Sequence, residues 1–126
     1  MSYPCACGSS NPYSICCQPL HEGKAFWGSP EQLMRSRYAA YAENVIEYLI
    51  ETTHPRMRHL HAKEDIASWA QVNNWQKLEI VDAFENIVEF KAHFIHKGSS
   101  CVHHEISVFE KEGDKWYYVS GTFPKS

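Results

Sequence analysis

A chain of 126 residues can build one modest hydrophobic core and not two, so any second module needs support other than apolar burial. Apolar residues make up 44 %, with six Phe, seven Tyr and four Trp, which excludes a disordered polymer and predicts an aromatic core. Twelve Lys and Arg against 15 Asp and Glu leave a formal charge of -3, which gives no electrostatic reason for a strong grip on nucleic acid. No apolar run reaches the roughly 18 residues of a membrane span, and the start lacks the basic and apolar blocks of a secretion signal. A cytoplasmic protein with no membrane partner is the expectation, and the oligomeric state is left open.

Four of the five cysteines fall between positions 5 and 17, as Cys5-Ala6-Cys7 and Cys16-Cys17. Four soft thiolates suit the tetrahedral demands of zinc, and filling all four positions with protein ligands makes the site structural rather than catalytic. Gly8 eases the bend after the first pair, and Asn11-Pro12 opens a short helical turn that carries the second pair back. A disulfide between the adjacent Cys16 and Cys17 would be strained. The segment's apolar content is essentially Tyr3, Pro4, Tyr13 and Ile15, so metal binding has to supply much of its folding energy. His21, in the linker over residues 18–28, reads as a surface residue or as a competitor of Cys17 for the fourth position.

Beyond the linker, Ser29-Pro30-Glu31-Gln32 has a capping Ser, a Pro at the first helical position and a Gln three residues after the cap. The stripe Met34, Tyr38, Tyr41 and Val45 marks a helix covering a core, with Arg35 and Arg37 flanking it. Asn44 reads as the cap of a second helix over 45–53, which His54-Pro55 stops, and a third is expected over 63–72 with Ile66, Trp69 and Ala70 inward. His54, His59 and His61 with Arg56 and Arg58 make the intervening loop the most basic stretch, read as solvated.

From Lys77 the apolar period changes from about 3.6 to 2. Leu78, Ile80, Asp82 and Phe84, then Val88, Phe90, Ala92 and Phe94, then Val102, His104, Ile106 and Val108, then residues 116–121 read as four strands. The short turns at Glu85-Asn86, Lys97 to Ser100 and Gly113-Asp114 require an antiparallel meander. Three helices followed by four strands give an α+β fold, a cone in which the helices pack across one face of a curved sheet and leave room for a pocket. On this pattern His104 points inward and His103 and Glu105 outward. An inward His104 with Asp82 or a helix arginine nearby could bind a carboxylate ligand or move a proton; the plainer reading is a core histidine. His93 and His103 would share a face as a weak metal site. No nucleotide loop, nucleophile elbow or H-E-x-x-H pattern is present.

Cys5-Ala6-Cys7-Gly8-Ser9-Ser10, Tyr13 and Cys16-Cys17 resemble the SEC-C motif, the zinc module at the C-terminal end of the SecA translocation ATPase. With Leu33-Met34-Arg35-Ser36-Arg37-Tyr38, His54-Pro55, Val88-Glu89-Phe90, His104-Glu105-Ile106-Ser107-Val108-Phe109 and Trp116-Tyr117-Tyr118-Val119-Ser120-Gly121, nearly the whole chain is similar to the YchJ-like family of small bacterial proteins, UPF0225. The resemblance implies a SEC-C segment, here 1–25, joined to an NTF2-like domain, here 26–126, with no assigned biochemical role. In SecA the module docks the SecB chaperone and touches the ribosome, which implies a protein partner here, chaperone- or ribosome-associated. SecA-type modules carry lysines between the cysteine pairs, whereas residues 9–15 here are uncharged, so the same partner does not follow. The turn at Glu85-Asn86 is also tighter than the family's glycine-rich connection.

The expected function is a non-catalytic binding protein with one structural zinc ion on Cys5, Cys7, Cys16 and Cys17. The alternative is a pocket for an anionic or aromatic small molecule, catalytic or not, built from Arg35, Arg37, Tyr38, Asp82, His104, Trp116 and Tyr118.

Overall fold

The computed structural model describes residues 3–24 and 28–124. The expected module boundary between 25 and 26 lies outside the described residues. Helix α1 (Gln18–His21) is one turn directly after the cysteine segment, so four α-helices stand among the described residues where three were expected. It is followed by α2 (Pro30–Glu43), α3 (Ile46–Glu51), a 3-10 segment (Pro55–Leu60) and α4 (Lys63–Val72). The strands are β1 (Asn74–Phe84), β2 (Ile87–His96), β3 (Ser99–Glu112) and β4 (Lys115–Thr122).

Helix α2 starts as its sequence dictates: Ser29 Oγ accepts the Gln32 N–H at 3.1 Å, with Pro30 in the first turn. It ends at Asn44, whose left-handed φ of 62° and N–H bonds to the Ala40 and Tyr41 carbonyls close the helix. Asn44 therefore terminates α2 rather than capping α3. Leu33, Met34, Tyr38 and Ala40 of α2 pack with Tyr48 and Leu49 of α3 onto Leu78, Val88, Phe90, Ala92 and Phe109 of the sheet.

The curved cone does not form. The strands lie side by side in the order β1-β2-β3-β4, an open sheet that is neither curled nor closed. Each junction pairs residues flanking a two-residue turn: Phe84 with Ile87, His96 with Ser99, Glu112 with Lys115. Turns this short only add the next strand beside the last, and no pairing joins β1 to β4. Glu85, Lys97, Gly98 and Gly113 take the positive φ these turns require.

The facing of β3 also differs from expectation. The turn at Lys97-Gly98 pairs Val88 with Ser107, Phe90 with Glu105 and Ala92 with His103. Directly opposed residues share a face, so His103, Glu105, Ser107 and Phe109 look toward the helices, and His104 looks away. The apolar pattern misleads because Val102, Ile106 and Val108 occupy the uncovered face while the covered face carries polar groups. The outer edge of β4 is joined by the end of α3: Tyr118 donates its N–H to the Thr52 carbonyl at 2.8 Å and accepts the His54 N–H at 2.8 Å.

Candidate metal centre and cavity

Two hairpin-like contacts fold the cysteine segment. Cys5 donates its N–H to the Asn11 carbonyl at 2.9 Å and Tyr13 to that of Tyr3 at 2.9 Å, while Gly8 (φ 86°) turns the chain between them. Tyr13 to Ile15 form a 3-10 turn that returns Cys16 and Cys17 to the first pair. The sulfurs of Cys7 and Cys16 lie 3.5 Å apart, those of Cys16 and Cys17 3.9 Å, and all four fall within 4.8 Å of one another. Cys5, Cys7 and Cys17 are buried. These separations are far beyond a disulfide bond, and the four thiols form a potential metal-binding site.

Charge explains why such a cluster calls for a cation. Hydrogen bonds from Cys17 and Cys5, with help from Ser9, drive Cys7 toward the thiolate against the opposing effect of burial. The Cys5 and Cys7 neighbours, and then burial, hold Cys17 protonated. Four sulfurs this close cannot all ionise until a positive charge joins them. Ser9 Oγ lies 3.1 Å from the Cys16 sulfur, where its hydroxyl can donate to a ligand thiolate.

His21 bridges the cysteine segment to α2 and α3 instead of entering the cluster. Its Nε2 donates to the Ser36 carbonyl at 2.8 Å, leaving Nδ1 to accept the Tyr13 hydroxyl at 2.6 Å, and the ring packs 4.7 Å from that of Tyr48. Burial lowers its pKa below the usual 6.5, against the opposing Ser36 bond. The neutral form therefore belongs to the folded state, and its contribution is complete above about pH 6.5 and lost as the pH falls below it. His21→Gln should flatten the acid side of the stability profile by roughly 1 kcal/mol per pH unit at most, read by denaturant titration of both proteins between pH 7 and 5.

The second site is a cavity of about 250 Å³ between helices and sheet, lined by Tyr38, Tyr41, Trp69, Trp75 and Phe90 among others. Its polar side is built on Glu105, which is 7 % exposed. Glu105 Oε1 accepts from His103 Nε2 at 2.8 Å, and Oε2 accepts from the hydroxyls of Ser107 at 2.6 Å and Tyr118 at 3.0 Å. Burial would raise the Glu105 pKa, but the bonds from His103, Ser107 and Tyr118 outweigh it and hold the carboxyl below its ordinary value. Arg37 lies across the Tyr118 ring, 4.5 Å from its centroid, and Nη1 donates to the Leu49 carbonyl at 2.9 Å and Thr52 Oγ1 at 2.7 Å.

Of the pocket candidates read from the sequence, Arg37, Tyr38 and Tyr118 line this cavity. Arg35 faces the cysteine module, donating to the Cys7 carbonyl at 2.8 Å and to Glu31 at 3.0 Å. Asp82 is exposed on β1, and Trp116 packs under Lys111 at 6.0 Å. His104 pairs with Glu89 at 2.7 Å on the opposite face. His93 pairs with Glu79 on that same far face, so it does not meet His103. His54, Glu110 and Glu112 also cluster, but Arg56 binds Glu110 and His54 donates to Glu112 at 2.8 Å, making an ion-pair network. Sequence reasoning turns His103 and Glu105 to the outer face and so leaves both out of the cavity they line. Gly121 within a strand was the available signal, since such a glycine marks a close approach by another group.

Residues 29–121 match the family model for the middle, NTF2-like domain of YchJ. A UPF0225 protein of Vibrio vulnificus is 40 % identical over 131 residues, spanning 99 % of this chain and 78 % of the relative. The chain belongs to the YchJ-like UPF0225 family. Another UPF0225 protein, from Geobacter sulfurreducens, is 36 % identical over 128 residues, 96 % of this chain and 80 % of that one. Among solved structures, a SEC-C motif containing protein from Rhodopseudomonas palustris superposes with a TM-score of 0.90 at 37 % identity, covering 98 % of this chain and 100 % of its own. One from Psychrobacter arcticus gives 0.79 at 32 % identity, covering 100 % and 84 %. Among the described residues no helix is long and apolar enough to cross a membrane.

Proposed function

We propose that this UPF0225 member is a non-catalytic binding protein in which residues 1–25 form a SEC-C-like module around one structural zinc ion, joined to an NTF2-like domain over 26–126, and that the module docks on a protein partner. The supporting observation is the four-sulfur cluster itself. A tetrahedron with Zn–S bonds of about 2.3 Å needs sulfurs about 3.8 Å apart, and the separations of 3.5 and 3.9 Å are close to that. When bound, zinc supplies a cross-link and no open coordination position. Ile15, 71 % exposed at the end of the 3-10 turn, is the most exposed large apolar side chain among the described residues of this module and the one it offers to a partner.

Chaperones of the SecB type and ribosomes are the partners to try first. Ile15→Asp is expected to weaken cosedimentation with ribosomes, or capture on immobilised SecB, by about tenfold while zinc content stays at one per chain. Unchanged binding by a variant that keeps its zinc would move the docking surface elsewhere. The cavity favours a second reading, of a small-molecule binding protein to which the zinc module is accessory. Its specific support is a void of about 250 Å³ in which Arg37, Tyr38 and His103 converge.

A further inference from the structure

The cavity holds a polar arrangement that its apolar walls do not require. Three protein donors occupy Glu105, two on Oε2 and His103 on Oε1, so most of the carboxylate's accepting capacity is spent within the protein and it serves to orient His103. Because that carboxyl is held ionised, the hydrogen of the short His103–Glu105 contact belongs to Nε2. In the neutral imidazole Nδ1 of His103 is then the lone-pair acceptor, it has no hydrogen-bond partner among the described residues, and the ring lines the cavity. Tyr38 lines the same space, is only 2 % exposed, and its hydroxyl likewise has no partner among the described residues. One oriented acceptor and one buried hydroxyl donor are the complement of a ligand hydroxyl, which both donates and accepts.

The walls specify what carries that hydroxyl. Of the lining residues, Tyr38, Trp75 and Trp69 form a run of edge-on ring contacts at 5.9 and 6.1 Å, a surface suited to a planar conjugated guest. A dry cavity of about 150 Å³ accepts benzene, so a volume of about 250 Å³ fits one substituted ring or a small fused pair. Arg37 supplies positive charge at the same wall, where its field opposes the effect of burial on the Tyr41 and Tyr118 phenols. It would favour a ligand hydroxyl that gives up part of its proton to the imidazole.

We propose that the cavity binds a small phenol, with the ligand O–H donated to His103 Nδ1, Glu105 positioning the imidazole and Arg37 facing the developing phenolate. This rests on the small-molecule reading of the cavity and is independent of the zinc module. The probes are 4-nitrophenol and 4-nitroanisole, which share a ring but differ in the donor hydrogen, titrated against the fluorescence of Trp69 and Trp75. The expected result is a preference of about tenfold for the phenol in the native chain, the worth of one net hydrogen bond. In His103→Phe that preference should collapse to about twofold or less while 4-nitroanisole still binds, which establishes that the variant is folded. Equal binding of both probes by the native chain overturns hydroxyl recognition and leaves the cavity as an apolar site. Binding of neither overturns the small-molecule reading itself. If His103→Phe does not fold, bound 4-nitrophenol in the native chain must absorb as phenolate more than the free probe does at the same pH, and an unchanged spectrum rejects the proposal.

Discussion

Stripping zinc with a strong chelator at neutral pH should melt residues 3–24 while β1 to β4 stay paired. The cluster that would lose its cation buries only Cys5, Cys7, Tyr13, Cys17 and Ala39, against a dozen buried residues in the main core. Without a cation the thiols can satisfy one another only by remaining mostly protonated, and the module's two arms are then joined chiefly by the Cys5–Asn11 and Tyr13–Tyr3 backbone bonds and the Tyr3–Tyr13 stack at 5.6 Å. Module and domain meet through His21, Ser36 and Tyr48, so the loss is felt in α2 as well. We expect a cost of about 3 kcal/mol, a fall in Tm of roughly 10 °C. Cys17→Ser should reproduce it, whereas Cys101→Ser, on β3 and outside the cluster, should move Tm by less than about 2 °C. Amide exchange gives the decisive pattern: protection lost over 3–24 and retained in β2 and β3. Uniform loss throughout would mean that the module and the domain form one cooperative unit.

Gly121→Ala should destabilise the protein by about 2–3 kcal/mol, opposite in sign to the usual effect of removing a glycine from a strand. A Cβ at this position would sit 2.2 Å from Glu105 Oε2 and 2.4 Å from Cδ. Gly121 faces Ser107 across the ladder, and the Glu105 side chain lies directly over it. Three protein donors hold that carboxylate, so it cannot swing aside without leaving the charge or its partners unpaired in a buried site. The check is a double-mutant cycle by urea denaturation: adding Gly121→Ala to Glu105→Ala should cost less than about 0.5 kcal/mol. An equally large penalty in both backgrounds would place the strain in the β4 backbone instead.

The cysteine cluster could be read from the sequence because its four thiols sit close together along the chain, and the start of α2 because Ser29, Pro30 and Gln32 are local signals. The three turns were equally readable, and with them the antiparallel order. What escaped was the facing of β3. A strand's apolar alternation normally identifies its covered face, yet here Val102, Ile106 and Val108 sit on the other side because the covered face carries His103, Glu105 and Ser107. A cavity wall breaks the binary rule for the same reason that it can bind something. The tether on Arg37 was hidden for another reason: Thr52 falls on the inner side of the expected helix over 45–53, but only the packing of α3 brings the Thr52 and Thr53 hydroxyls onto Arg37. Sheet curvature follows no residue pattern here, and the open arrangement became visible only in the strand pairing.

An open sheet carries two ladders of backbone groups that could recruit a strand from another chain. Here both rims are spoiled for that use. Thr52 to His54 cap the β4 rim around Tyr118. The β1 rim carries two register irregularities, at Trp75/Lys77 and Ile80/Asp82, and charged Lys77, Glu79 and Asp82 along its length. Irregular, charged rims are poor templates for intermolecular pairing, so a fold that never closes its sheet still resists growing into a fibre.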